Sequence, residues 1–197
     1  MINVETIVLK FGGASVSSTS CFKQIAQIIA KRSESFDRVA VVISAMGETT
    51  DELIKLAQEV STDPPKREMD MLVSVGERIS ISLLAMALSN LGIEATSFTG
   101  SQSGIITDSC HSEASIIRVT PKRIEKCFDA DKIAIVAGFQ GVSESGEITT
   151  LGRGGSDTSA VALAIALSAK KVEFYKDVDG VCDIDPKLSK DATIYET

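Results

Sequence analysis

Residues 6–45, TIVLKFGGASVSSTSCFKQIAQIIAKRSESFDRVAVVISA, decide the fold. Two apolar runs, TIVLKF at 6–11 and RVAVVISA at 38–45, show no alternation of polar and apolar residues. Such runs suit strands covered on both faces, as in a parallel sheet. Between them Phe22, Ile25 and Ile29 recur at helical spacing and mark one apolar face. Strand, helix and strand in this order read as a crossover unit, the building block of a parallel sheet layered with helices.

The same alternation continues along the chain. Leu53, Leu56, Ala57 and Val60 predict a second helical face, and Asp63-Pro64-Pro65 breaks it. A long helix follows from about Arg67 to Asn90, with Leu72, Val75, Ile79, Leu83 and Met86 as its apolar side and Gly92 as its stop. IEATSF at 93–98, GIITD at 104–108, KIAIVAGF at 132–139 and KVEFY at 171–175 read as strands. Thr120-Pro121 reads as a helix start with the threonine as cap. GVSESGEITTL at 141–151 has the glycine and serine of a hairpin. A last helix runs from near Ser156 to about Ala169. The expected architecture is α/β, a mainly parallel sheet between helical layers, in one domain spanning 1–197 without repeat or linker. In such sheets ligands gather beyond the carboxyl ends of the strands, where the glycine clusters of this chain fall.

Composition narrows the partners. The 197 residues are 44% hydrophobic, enough for one sizeable core, and the net charge is −7. With no long basic run, nucleic acid and anionic membrane are not the expected partners. The N-terminus lacks a signal-sequence core, and AVALAIALSA at 160–169 is too short to span a bilayer. Cys21, Cys110, Cys127 and Cys182 form no Cys-x-x-Cys pair, so reduced cytoplasmic thiols are expected. No metal cluster is expected on the chain, and His111 is the only histidine.

Five segments carry candidate chemistry. In KFGGAS at 10–15, Lys10 closes a strand and Gly12-Gly13 let backbone N–H groups approach an anion. An ordinary turn with a surface lysine explains the same residues. In TLGRGGSDTSA at 150–160, Gly154, Gly155 and Ser156 open a helix whose N-terminus attracts anions. There Arg153 can grip a carboxylate with two hydrogen bonds, and Asp157 can cap the helix, hold a cation or order a metal-bound phosphate. A capped, glycine-rich helix entry is the plainer alternative. In SVGERIS at 74–80, Glu77 is either a ligand or half of a solvated ion pair with Arg78. In VISAMGETTDEL at 42–53, Thr50 binds a ligand or caps a helix. KDVDGVCDIDP at 176–186 has acidic residues, glycine and proline, but not the spacing of a calcium loop. Neither a Walker loop nor a dinucleotide fingerprint is present, since Asp157 stands where the third glycine would be.

Taken in order, KFGGASV, VVISAMGETTDEL, PPKREMDMLVSVGERIS, GIEATSFTGSQSGIITD, VTPKRI, IVAGFQGV, TTLGRGGSDTSAVALA and DVDGVCDIDP resemble the catalytic domain of aspartokinases. The likeness covers nearly the whole chain. It implies the amino-acid-kinase fold (carbamate-kinase-like), a three-layer αβα sandwich. It implies transfer of the ATP γ-phosphoryl group, with Mg²⁺, to the β-carboxylate of L-aspartate, opening the route to lysine, threonine, methionine and isoleucine. By the same resemblance Lys10, Gly12 and Gly13 hold phosphates, with Lys10 and Asp157 at the reacting centre. Thr50, Glu77, Arg153, Gly154, Gly155 and Ser156 take aspartate, Glu77 facing its α-amino group and Arg153 a carboxylate. Lys176, Asp177, Cys182 and Lys187 border the nucleotide. The family usually has Ser or Thr at Lys176, Tyr at Cys182, Arg at Lys187 and a hydroxyl residue at Ala14. It also continues past Thr197 and adds regulatory domains, so an incomplete catalytic domain is expected, with a homo-oligomer as a further implication. The alternative is a non-catalytic ligand-binding or assembly fragment.

Overall fold

The structure is a computed structural model and describes residues 4–176 and Thr193. Strand β1 (Thr6–Phe11) leads through a 3-10 turn at Ala14–Val16 into helix α1 (Thr19–Ser33) and then strand β2 (Arg38–Ile43). Helices α2 (Thr49–Val60), α3 (Lys66–Val73) and α4 (Val75–Ser89) follow. Strand β3 (Ala95–Phe98), the single-turn helix α5 (Gly100–Ser103) and strands β4 (Ile105–Thr107) and β5 (Ile116–Val119) come next. Helix α6 (Lys122–Phe128) precedes strands β6 (Ile133–Ala137), β7 (Gln140–Ser143) and β8 (Ile148–Thr150). Helix α7 (Gly155–Ala166) and strand β9 (Lys171–Tyr175) complete the described chain.

The main sheet has the order β3-β6-β2-β1-β9 and is parallel throughout. Thr6 to Phe11 align with Arg38 to Ile43 in consecutive register. Period-two alternation therefore splits each strand between two cores. Ile7, Leu9, Phe11, Val39, Val41, Ile43, Ile133 and Ile135 face α1 and α4. Val8, Ala40, Val42, Ala134 and Val136 face the opposite way, toward Ile124, Phe128, Ala160 and Leu163 of α6 and α7. This is the expected αβα sandwich. The hairpin foreseen at 141–151 is β7–β8, and it belongs to a second, mixed sheet of order β5-β4-β7-β8. Neither β5 nor the capping box that builds α5 from Thr99 and Gln102 was foreseen.

Two helical faces differ from expectation. The long helix forms, broken only at Ser74, but its buried side is Asp70, Val73, Ser74, Gly76, Glu77, Ser80, Ile81, Leu84 and Leu88. Of the foreseen side, Val75, Ile79 and Met86 are turned outward, Ile79 42% and Met86 62% exposed, whereas Leu72 and Leu83 are half-buried and Leu83 packs against the core. The inner stripe contains a glycine, two serines and two carboxylates, so hydropathy favours the wrong side. By length and composition residues 66–89 could cross a membrane, the one such helix among the described residues. Its inner face packs on α1, β3 and β6 as a core helix. Helix α2 also forms, yet buries no residue, and Val60 is 90% exposed. At α6 the Thr120 side chain makes no cap, and α6 begins after Pro121.

The assignment of faces can be checked by mutation. Leu84→Ala should destabilise by about 2–5 kcal/mol, as for buried leucines generally. Met86→Ala should stay within about 0.5 kcal/mol, as for exposed positions. Urea unfolding of both variants makes the measurement, and comparable losses would refute the assignment.

Candidate active site

The strand order turns back at β1, which carries β2 on one side and β9 on the other. That is a topological switch point, where open α/β sheets bind ligands at the carboxyl ends of their strands. A cavity of about 260 Å³ lies there, lined by Lys10, Gly13, Ser44, Ala45, Thr50, Glu77 and the loop from Gly152 to Asp157, among others. It falls just under the roughly 300–1,000 Å³ of sites for drug-sized ligands, and so suits one small molecule.

Lys10 is the penultimate residue of β1 and is only 6% exposed. Its ammonium lies 2.7 Å from Asp157 Oδ1. Lys176, just past β9, donates to Asp157 Oδ2 at 3.0 Å. Burial pushes the Asp157 carboxyl up, but the two lysines outweigh it and hold it below its ordinary value. Asp157 therefore does not cap its helix: Gly154 occupies the cap position with φ of 75°, a left-handed conformation that favours glycine. The N–H groups of Arg153, Gly154 and Ser156 have no partner among the described residues, and they stand at the positive end of α7. Gly155 N–H is taken by the Gly152 carbonyl.

The Gly12-Gly13 turn is anchored from β9. Gly12 N–H and the Ser15 hydroxyl both donate to the Tyr175 carbonyl, and Tyr175 stacks on Phe11 with ring centres 4.5 Å apart. Gly12 N–H is thus committed, whereas those of Gly13 and Ala14 have no partner among the described residues.

Glu77 is 2% exposed. Helix α4 approaches the end of β2 closely enough that a Cβ on Gly76 would sit 2.7 Å from Ala45 Cβ. Glycine at that position lets Glu77 Oε1 accept the Ala45 N–H at 3.2 Å. Gln140, on β7, donates to Glu77 Oε2 at 3.5 Å and to the Ser74 carbonyl at 2.9 Å. No cation pairs with Glu77 among the described residues, and Arg78 makes no ion pair there either. The solvated Glu77–Arg78 pair is therefore absent. Burial raises the Glu77 carboxyl from 4.5 to about 7, against the opposing hydrogen bonds. Thr50 lies in the first turn of α2 and lines the cavity without capping the helix.

The structure thus brings Lys10, Gly13, Thr50, Glu77, Arg153, Gly154, Gly155, Ser156 and Asp157 around one cavity, with Gly12 and Lys176 adjoining it. Asp177, Cys182 and Lys187 lie outside the described residues. Sequence reasoning missed Gln140 and Ala45, whose roles depend on a long-range approach. It also missed the pairing of Lys176 with Asp157. Among the described residues no group of three or more His, Cys, Asp or Glu side chains could hold a metal ion.

The sequence pattern of the amino acid kinase family matches residues 5–197. The chain belongs to the amino acid kinase family. It is 54% identical to an aspartokinase of Geobacillus stearothermophilus over 186 residues, 94% of this chain and 46% of that protein. An aspartate kinase structure from Synechocystis superposes with a TM-score of 0.80 at 46% identity, covering 95% of this chain and 31% of that one. Aspartokinase III of E. coli, solved with aspartate and ADP, superposes at 0.87 with 25% identity, over 98% and 54% of the two chains. The chain spans about half the length of the curated relatives it matches.

The Glu77 assignment makes a pH prediction. Its folded-state value exceeds its unfolded one, so the unfolded state releases the proton first as pH rises. Stability is then lost between about pH 4.5 and 7, by on the order of 3 kcal/mol. Glu77→Gln should escape this loss, gaining on the parent by that amount between pH 4.5 and 8 in urea unfolding. An unfolding difference that does not vary with pH would show that Glu77 ionises like a solvent-exposed carboxylate.

Proposed function

We propose that this chain is the catalytic portion of an aspartokinase, transferring the ATP γ-phosphoryl group to the β-carboxylate of L-aspartate. The observation that carries the reading is the layout along the carboxyl edge of the main sheet. A buried carboxylate with no cation paired to it among the described residues, Glu77, sits against the ends of β2 and β7. Two lysines sharing Asp157 sit at the ends of β1 and β9. Such an edge can take a zwitterion at one side and a polyphosphate at the other. The complex of aspartokinase III with aspartate and ADP supports both ligands.

In this reading Glu77 accepts the α-ammonium of aspartate. Arg153, exposed and unpaired among the described residues, takes a carboxylate, with Thr50 and the N–H groups of Gly154 and Ser156 beside it. The β-carboxylate ionises near 4, so it is a nucleophile at neutral pH without a general base. An oxygen of that carboxylate bonds to the γ-phosphorus as the bond to the bridging β–γ oxygen breaks and ADP leaves. The obstacle is repulsion between two anions. Lys10 and Arg153, with the free N–H groups of Gly13 and Ala14, offset it in positions fixed beforehand. Mg²⁺ would arrive on ATP and neutralise phosphate charge, and the single carboxylate of Asp157 between the two lysines fits a metal held chiefly by phosphate oxygens. Lys176, Asp177, Cys182 and Lys187 complete the nucleotide side.

The product would open the route to lysine, threonine, methionine and isoleucine in the cytoplasm. Unpaired thiols at Cys21, Cys110 and Cys127 support that setting. A homo-oligomer belongs to the same reading, supported by the exposed apolar residues Val75, Ile79 and Met86 on α4. The second reading is a binding or assembly piece without turnover.

Protein with Mg-ATP and aspartate should yield acyl phosphate that hydroxylamine traps as a hydroxamate. Binding of both ligands without hydroxamate would favour the second reading, and binding of neither would defeat both. Lys10→Ala should lower turnover by about 10²–10³-fold, the usual loss of one charge-stabilising group, while aspartate still binds. Arg153→Lys, which loses the bidentate fork, should instead raise the aspartate requirement, and unaltered aspartate dependence would remove Arg153 from the site.

A further inference from the structure

Asp70 is fully buried and belongs to none of the motifs discussed so far as chemistry. It sits on α3, two helical turns before Glu77. Its carboxylate collects donors from two other segments. The Thr150 hydroxyl donates to Oδ1 at 2.6 Å. His111 Nδ1 lies 2.6 Å from Oδ2. Ser112 N–H reaches both oxygens, at 3.0 and 3.2 Å, and its hydroxyl approaches Oδ1 at 3.4 Å. Ser112 adopts φ of 70°, uncommon for a non-glycine residue, to aim that N–H inward. Ala114 N–H then donates to the Thr150 carbonyl, closing the 108–114 loop onto β8.

Thr150 is the last residue of β8, and Arg153 follows three positions later. Between them the loop has little else to fix it. Gly152 and Gly154 have open space where side chains would be, and Arg153 itself is exposed. Besides Asp70, this end is held by the pairing of Thr150 with Gln140, by Leu151 N–H on the Phe139 carbonyl and by the buried Leu151 side chain. We infer that Asp70 is a positioning residue: by tying α3, which leads through Ser74 into the helix of Glu77, to the end of β8, which leads into the loop of Arg153, it sets the distance between the two groups that grip the amino-acid substrate. The inference rests on the substrate reading given under Proposed function. Asp70 touches neither the cavity nor its ligands, so it acts through Thr150.

A buried carboxylate responds strongly to the loss of one donor, because no water replaces it. Thr150→Val removes the hydroxyl at nearly constant shape, and Thr150→Ser keeps it. With the full chain, amide hydrogen exchange of residues 150–156 and calorimetric titration with aspartate and with ATP provide the readouts. In Thr150→Val, exchange should accelerate and the aspartate Kd should rise roughly tenfold, the lower range for a hydrogen bond to a charged group. The ATP Kd should hold within about twofold, and Thr150→Ser should restore both readouts. Asp70→Asn should shift them in the same direction if Thr150→Val does not fold. Unchanged exchange, or aspartate and ATP weakened alike, would overturn the inference. Parent protein that binds no aspartate would instead defeat the substrate reading, with the exchange comparison still deciding whether Asp70 holds the loop.

Discussion

Burial of one carboxylate, Glu77, governs the arrangement of this site. Taking a carboxylate out of water costs several kcal/mol unless other charges or hydrogen bonds compensate. Here the compensation is partial: one backbone N–H from Ala45 and one amide from Gln140 at the limit of hydrogen-bond length. The protein meets the remainder by raising the group's affinity for a proton. A group in that state favours any cation that enters the cavity, and an α-ammonium is one. The features that place Glu77 all serve this purpose. Gly76 allows contact with Ala45, the break at Ser74 offers a carbonyl to Gln140, and Gln140 projects from the second sheet into the gap.

That dependence explains which parts of the molecule were legible in the sequence. The main sheet was readable because β1, β2 and β6 are apolar on both faces, a pattern only a doubly covered parallel strand requires. The hairpin was readable from Gly146 and its serines. The long helix was readable in extent but not in orientation, because its inner side carries small and polar residues. Gly76, Glu77 and Ser80 lower the hydropathy of the buried stripe, while Val75, Ile79 and Met86 raise that of the exposed one. Periodicity alone rotates the face of such a helix toward Val75, Ile79 and Met86, although Leu83 still meets the core. Local consistency fails where a site overrides packing.

Within the site, residue types were legible and pairings were not. A glycine-flanked arginine before an aspartate signals anion binding, and the cavity gathers those residues. That Asp157 would pair with Lys10, 147 positions away, rather than cap its own helix cannot be read from spacing. Gln140 and Asp70 were invisible for the same reason: each acts on partners at least 40 residues distant in the chain.

The shared carboxylate of Asp157 sets two electrostatic demands against each other. Two lysines near one cavity would repel and drift apart in the empty protein, and Asp157 holds them in place. The same carboxylate subtracts from the attraction they offer an incoming anion. An ammonium carries three donors, however, and the salt bridge uses one of them on each lysine. The remaining donors can meet an incoming anion without large rearrangement of the side chains. Preorganised charge is more effective than a larger charge that must be assembled during the reaction, because its ordering cost is met on folding. Asp157 fixes the two cations, and against the burial of its carboxyl they hold its pKa below the ordinary value and favour the ionised form.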